Sequence, residues 1–271
     1  MKRQICFSFF SLLIYATSFT QSKLGEVASV YVTTPDLDSS VAVYEKLGFP
    51  KINSNTYPIP WAQVSDGSLL ITMRKDATAY MGLTYYASDV EKIADQLEKQ
   101  GIVFIQKPKE SDAIKRYYFK TPDGFTIMLA SNLGGFAQPT GATMATMKPD
   151  DFTKADKYPN KQCGAFGEFC HPVADLEKSI DYWKKLGFTV KSKMTAPYPW
   201  AIVTDGLMLV GLHQTKDFNY PAITYFGVNT EKRVQQLKDQ GLKDFTNMMG
   251  KNNVILTTWE GQHFFLFSMG M

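Results

Sequence analysis

The chain is poor in the residues that most often advertise chemistry. Only three cysteines occur in its 271 residues, Cys6, Cys163 and Cys170. Their spacing is not the CxxC of redox or zinc motifs. No serine sits in a nucleophile-elbow context and no glycine-rich phosphate loop is present, which removes two common enzyme templates. No block of five like charges occurs, and the formal net charge is +3. Such a balance argues against nucleic acid or an anionic membrane as the main partner. The apolar run Ile5 to Tyr15 is eleven residues long, too short for the ~20 residues of a bilayer-spanning helix.

What is present begins with that run. Lys2 and Arg3 precede it and the small polar stretch Ala16 to Thr20 follows it. This order predicts a secretory signal peptide over residues 1–20. The expected product is exported, periplasmic or extracellular, with no membrane contact after cleavage. Cys6 lies inside the run, badly placed to become a lipid-carrying first residue. Loss of Lys2 and Arg3 lowers the charge from +3 to +1. Cys163 and Cys170 would remain, and an oxidising compartment allows them to bridge. Spacing alone does not establish the geometry.

The strongest internal signal is a duplication. DLDSSVAVYEKLGF at 36–49 returns 139 residues later as DLEKSIDYWKKLGF at 175–188. The same offset pairs PIPWAQVSDGSLLI (58–71) with PYPWAIVTDGLMLV (197–210). With one residue inserted, TYYASDVEKIADQLEKQG (84–101) pairs with TYFGVNTEKRVQQLKDQG (224–241). Two repeats of 108 residues follow, 24–131 and 164–271, joined by an aperiodic linker at 132–163.

Within each repeat the pattern is strand, helix, then strands. Val27 to Thr33 is β-branched and stops before Pro35, as a strand would. Asp36 or Ser39 can cap a helix carrying Leu37, Val41, Tyr44 and Leu47 at helical spacing. Gly48 ends it. Ser65-Asp66-Gly67-Ser68 marks a hairpin. A second strand and an Asp89-capped helix repeat the order, closing on a hairpin at Pro122-Asp123-Gly124. Each half therefore reads as βαβββ twice, an α+β chain of four such units.

The DLxxSxxxYxxLGF block, the DG hairpin and the closing PDGxxIxL strand resemble the vicinal oxygen chelate superfamily, the glyoxalase/bleomycin resistance/extradiol dioxygenase group. The resemblance covers both halves. It implies two tandem glyoxalase-like domains, each an open curved-sheet barrel around a cavity. It also implies, for catalytic members, His or Glu on the first strand of a unit and Glu on its last. Those side chains hold a divalent Fe, Mn, Ni or Zn that chelates two adjacent substrate oxygens.

Carried onto this sequence, the pattern is depleted. The first half offers Val27, Leu83 and Met128 at the expected places; the second offers Glu168, Ile223 and Phe265. One carboxylate does not hold a catalytic metal, so the first expectation is a site without a cofactor. The alternative is a relocated metal site of Glu168, His213 and His263, the two-His, one-carboxylate set suited to iron. His213 closes the strand after the second hairpin, and His263 shares a strand face with Phe265. His171, of opposite parity to Glu168, reads as structural.

Aromatic residues mark candidate pockets. Trp61 near the first hairpin corresponds to Trp200 near the second, Tyr57 corresponds only roughly and out of register to Tyr198, and Trp259 sits at a turn expected beside a cavity mouth. Such rings can stack a planar ligand or simply fill a core. Three readings follow: a small-molecule binder with an apolar, aromatic-lined cavity, a metal-dependent lyase or dioxygenase, or an assembly module. Polar candidates concentrate in 164–271, so any ligand is expected there.

Overall fold

The computed structural model describes residues 22–248 and 253–269; the predicted signal segment 1–20 lies outside them. The first half runs β1 (Val27–Thr34), α1 (Leu37–Lys46), β2 (Lys51–Asn55), β3 (Trp61–Ser65), β4 (Leu70–Lys75), β5 (Tyr80–Ala87), α2 (Val90–Lys99), β6 (Phe104–Gln106), β7 (Arg116–Lys120) and β8 (Thr126–Ser131). The second half repeats it as β9 (Ala165–Pro172), α3 (Leu176–Lys185), β10 (Thr189–Met194), β11 (Trp200–Thr204), β12 (Leu209–His213), β13 (Ala222–Gly227), α4 (Thr230–Asp239), β14 (Phe245–Asn247), β15 (Val254–Thr257) and β16 (His263–Ser268).

Local chemistry explains the helix starts. The Asp36 and Asp175 carboxylates accept from the backbone N–H groups of Ser39 and Lys178, both at 3.1 Å. Each satisfies a donor that the first helical turn leaves free. Gly48 and Gly187 then turn the chain at φ +85° and +95°, a region costly for any residue with a Cβ.

Each half forms one eight-stranded sheet. The orders are β2-β3-β4-β1-β5-β8-β7-β6 and β10-β11-β12-β9-β13-β16-β15-β14. Within a βαβββ unit the first strand pairs in parallel with the fourth, as β1 with β4 and β5 with β8. The two units of a half meet where β1 and β5 run antiparallel. The sheets are curved and open, and the predicted tandem α+β architecture is the observed one.

Strand alternation gives every central strand two different jobs. On β1, Ala28, Val30 and Val32 enter a large core shared by both halves, whereas Val27 and Tyr31 line the first sheet's own interior. The shared core carries edge-on ring contacts across the seam, Tyr44 with Phe264 and Phe49 with Tyr225. Polar contacts repeat the symmetry: Tyr225 donates to Asp66, and Tyr85 in the first sheet faces Asp205 in the second.

The linker is not a loose tether. Gln138 accepts from the Ala28 N–H at 2.8 Å and donates to the Leu207 carbonyl at 3.0 Å, touching both sheets. Cys163 and Cys170 are free thiols, both buried. Cys163 belongs to the shared core and Cys170 to the second sheet's interior, so the predicted option of a bridge is not taken.

Candidate metal centre

The interior of the second sheet holds a compact polar group among rings. Glu168 and Cys170 are two apart on β9 and so share its inner face. β12 runs parallel beside it, setting Gly211 opposite Cys170 and His213 opposite Pro172. The Nε2 atom of His213 lies 2.9 Å from Glu168 Oε1. One ligand atom from each of Glu168, Cys170 and His213 lies within 4.8 Å of the other two, and all three residues are buried.

Two observations show that these residues fit a cation. Glu168 Oε2 is buried with no hydrogen-bond partner, a costly state that a bound ion relieves. Gly211 makes the room: a Cβ there would overlap Glu168 Oε2 and stand 2.9 Å from Cys170 Cβ. Donors around a tetrahedral ion lie about 3.3–3.8 Å apart, given bonds of about 2.0–2.3 Å. Thiolate, imidazole and carboxylate together suit zinc, and three protein ligands leave one position open.

The surroundings orient this group. The Tyr198 hydroxyl is 3.3 Å from His213 Nδ1, and Trp200 stacks on the imidazole with centroids 6.2 Å apart. Phe218 meets His213 edge-on at 5.7 Å and Phe265 at 5.3 Å. Thr224 Oγ1 lies 3.5 Å from Glu168 Oε1 and 3.6 Å from Cys170 Sγ. Burial, then the Glu168 charge, pushes the Cys170 thiol well above its ordinary range. Without an ion the thiol therefore keeps its proton, and metal uptake must release it.

These findings overturn the expectation of a site without a cofactor. The third donor is Cys170, which spacing had marked only as one end of a possible disulfide. His263 is not in the group. It stacks on Tyr220 at 3.6 Å and its Nδ1 lies 3.2 Å from Thr257 Oγ1. The register also needs correction. Pairing with β13 sets Thr224, not Ile223, opposite Glu168, and Ile223 enters the shared core. In the first half the equivalents are Ser29 and Thr84 rather than Val27 and Leu83. Parity excludes Leu83, which points into the shared core, whereas Val27 faces the interior but pairs with Tyr86 rather than Thr84. Cys170 was findable from Glu168 by the two-residue strand period alone.

The first sheet's interior holds a different set. A cavity of about 310 Å³ lies there, bordered by Trp61 and rimmed by Tyr57, which is 81 % exposed. Met128 stands where Phe265 does. Trp259 is half exposed, on a turn whose Glu260 accepts from Ser40 of α1, which puts that turn against the first half. His171 stacks on Phe125 at 4.6 Å, outside the metal group.

Comparison with known proteins agrees with the architecture. Residues 23–129 match the family described as the Glyoxalase/Bleomycin resistance protein/Dioxygenase superfamily. A search of curated proteins finds no match. Among solved structures, 2,2',3-trihydroxybiphenyl 1,2-dioxygenase from Sphingomonas wittichii is 16 % identical, with TM-score 0.56 over 93 % of this chain and 92 % of that one. The 2,3-dioxygenase LapB from Pseudomonas sp. KL28 is 13 % identical, TM-score 0.57, covering 93 % and 94 %. Homoprotocatechuate 2,3-dioxygenase from Arthrobacter globiformis is 12 % identical, TM-score 0.59, covering 92 % and 81 %. At these identities the likeness is one of fold. The family match covers the first half, and the second half repeats the first half's strand order.

Proposed function

We propose that the second half is a metal-dependent enzyme centre for a small oxygen-bearing molecule, with Glu168, Cys170 and His213 as ligands of one divalent ion. The observation that carries this reading is the convergence of three buried donors on one point, with a carboxylate oxygen left unpartnered. Zinc is the ion best matched by a thiolate, an imidazole and a carboxylate. When bound, it would supply Lewis acidity toward a substrate oxygen. That favours a lyase- or isomerase-type reaction over an oxidation.

The chain's own residues would do the rest. Tyr198 holds the His213 ring by its far nitrogen, the usual way a ligating imidazole is oriented. Burial pushes the Tyr198 phenol up to about 12, so it stays neutral and available for hydrogen bonding. Phe218, Tyr220 and Phe265 form an apolar wall that keeps water from the reacting molecule. Glu168 would turn its unpartnered Oε2 to the ion while Oε1 stays beside His213. The dioxygenase activities named for the similar structures stand as the second reading, which would require iron here instead.

Metal analysis after separate loading with zinc, manganese, nickel and iron tests the proposal. One equivalent of zinc is expected, lost in Cys170→Ser and His213→Ala. Cobalt substitution adds a thiolate charge-transfer band that Cys170→Ser removes. Failure of every ion to bind stoichiometrically would sink the metal reading. Tight iron with oxygen-dependent cleavage of a catechol would replace the first reading with the second. The N-terminal run further supports work outside the cytoplasm, and the secreted product is expected to start near Gln21.

A further inference from the structure

We infer that the interior of the first sheet is a second binding site, for a planar aromatic carboxylate. The inference is independent of the metal centre and rests on different residues. The cavity of about 310 Å³ is within the range of small-molecule sites and is large enough for one or two fused rings. Its walls include Tyr31, Trp61, Tyr86 and Phe136, together with Arg74 and Arg116, and no carboxylate lines it.

The two guanidinium groups set the charge of the ligand. Arg74 is tied through Nη2 to Asp76 at 2.8 Å and lies 6.0 Å over the Tyr31 ring. Its Nε is buried and has no hydrogen-bond partner. Arg116, at the start of β7, has no acidic partner within ion-pairing distance among the described residues. The cavity thus holds one neutralised cation with a free donor and one cation with nothing opposite. A half-buried guanidinium without a counter-charge is a costly arrangement that an anion relieves. Its planar fork matches a carboxylate's two oxygens.

The rings set the ligand's shape. Phe136, delivered by the linker, meets Trp61 edge-on at 5.7 Å and Tyr86 at 4.9 Å. Asn132 clamps that segment, accepting from the Phe136 N–H at 2.8 Å and donating to its carbonyl at 3.1 Å. The aromatic end is therefore built before a ligand arrives, which lowers the ordering cost of binding. A flat apolar body fits between such rings while its acid group meets the arginines.

The test uses the full processed chain and 1-naphthoate, with 1-naphthylmethanol as the uncharged probe of similar shape. Calorimetry is expected to give saturable one-to-one binding of naphthoate, at least tenfold tighter than the alcohol. Arg116→Gln should weaken naphthoate at least tenfold and leave the alcohol unchanged. Trp61→Phe should remove most of the accompanying tryptophan quench while binding heat persists. A Cys170→Ser/His213→Ala variant should bind naphthoate normally, which separates this site from the metal centre. Equal affinity for acid and alcohol, indifference to Arg116→Gln, loss in the double variant, or no saturable binding would each overturn the assignment.

Discussion

Arg74 and His213 occupy the same position in two copies of one scaffold. Each lies directly across a β-ladder from a tryptophan, Trp61 opposite Arg74 and Trp200 opposite His213. The two sheets share the pair's geometry and differ in its chemistry, a permanent cation in one and an imidazole in the other. Their neighbours changed together. Ser29 and Glu168 are equivalent, as are Tyr31 and Cys170, and Thr72 and Gly211.

The ring contacts around His213 lead to a first prediction. With Nε2 directed at the ion, Nδ1 carries the proton and donates to Tyr198, 3.3 Å away. Removing such a supporting partner typically costs about 10–100-fold in metal affinity. Tyr198→Phe is therefore expected to lower zinc affinity by at least about tenfold. Tyr198 is only partly buried, so the melting temperature of the metal-free protein should hardly move. A competition titration with a chromophoric chelator reads the affinity, and an unchanged value would detach Tyr198 from the site.

Gly211 supplies the second. In the first sheet the equivalent Thr72 fits because its partner is the small Ser29, whose Oγ lies 3.0 Å from Thr72 Oγ1. In the second sheet the longer Glu168 fills that volume, and a Cβ at 211 would overlap its Oε2. Gly211→Ala should push the carboxylate out of line, abolish stoichiometric metal uptake and cost about 1–3 kcal/mol of overpacking. Thermal melts and metal analysis check both parts. Full zinc occupancy in the variant would mean that the carboxylate is not a ligand.

The same comparison explains what was legible in the sequence. Helix caps, glycine stops and DG hairpins are local, so the DL and LGF blocks gave the elements and their duplication directly. Which face a strand residue presents depends on partners far along the chain. Leu83 and Ile223 were assigned to the interiors, yet both point into the core between the sheets. Cys170 was read against Cys163 because both are cysteines, whereas its real neighbours, Glu168 and His213, become adjacent only when β12 pairs with β9. His263 has the inward parity expected of it, but Tyr220 and Thr257 hold its ring apart from the metal group.

The shared core supplies a third prediction, that the two halves unfold as one. Phe49 is fully buried and packs on Tyr44 of its own half and on Tyr225 and Phe264 of the other. Phe49→Ala removes contacts on both sides of the seam, at about 3–5 kcal/mol. Scanning calorimetry should show a single transition in both proteins, shifted down in the variant. A transition that splits, with the second half melting at its original temperature, would show that the halves are independently stable.

His171 gives the fourth, through pH. Its ring is fully enclosed, stacked on Phe125 at 4.6 Å and 6.2 Å from Trp183, with Nε2 buried and unpartnered. Burial lowers its pKa from 6.5 to about 4, outweighing the Pro172 carbonyl and the Asp123 and Glu168 charges that pull it up; His213 adds to the lowering. Between those two values the unfolded chain binds a proton that the folded chain refuses. Stability from this group is therefore complete above pH 6.5 and is lost as pH falls toward 4. A shift of that size corresponds to about 3 kcal/mol. His171→Phe cannot take up a proton and fills the same flat slot, so its stability should fall less steeply across that window. Denaturant melts of both proteins at pH 7, 5.5 and 4.5 measure the difference. Parallel curves would mean that the acid sensitivity arises from the carboxylates instead.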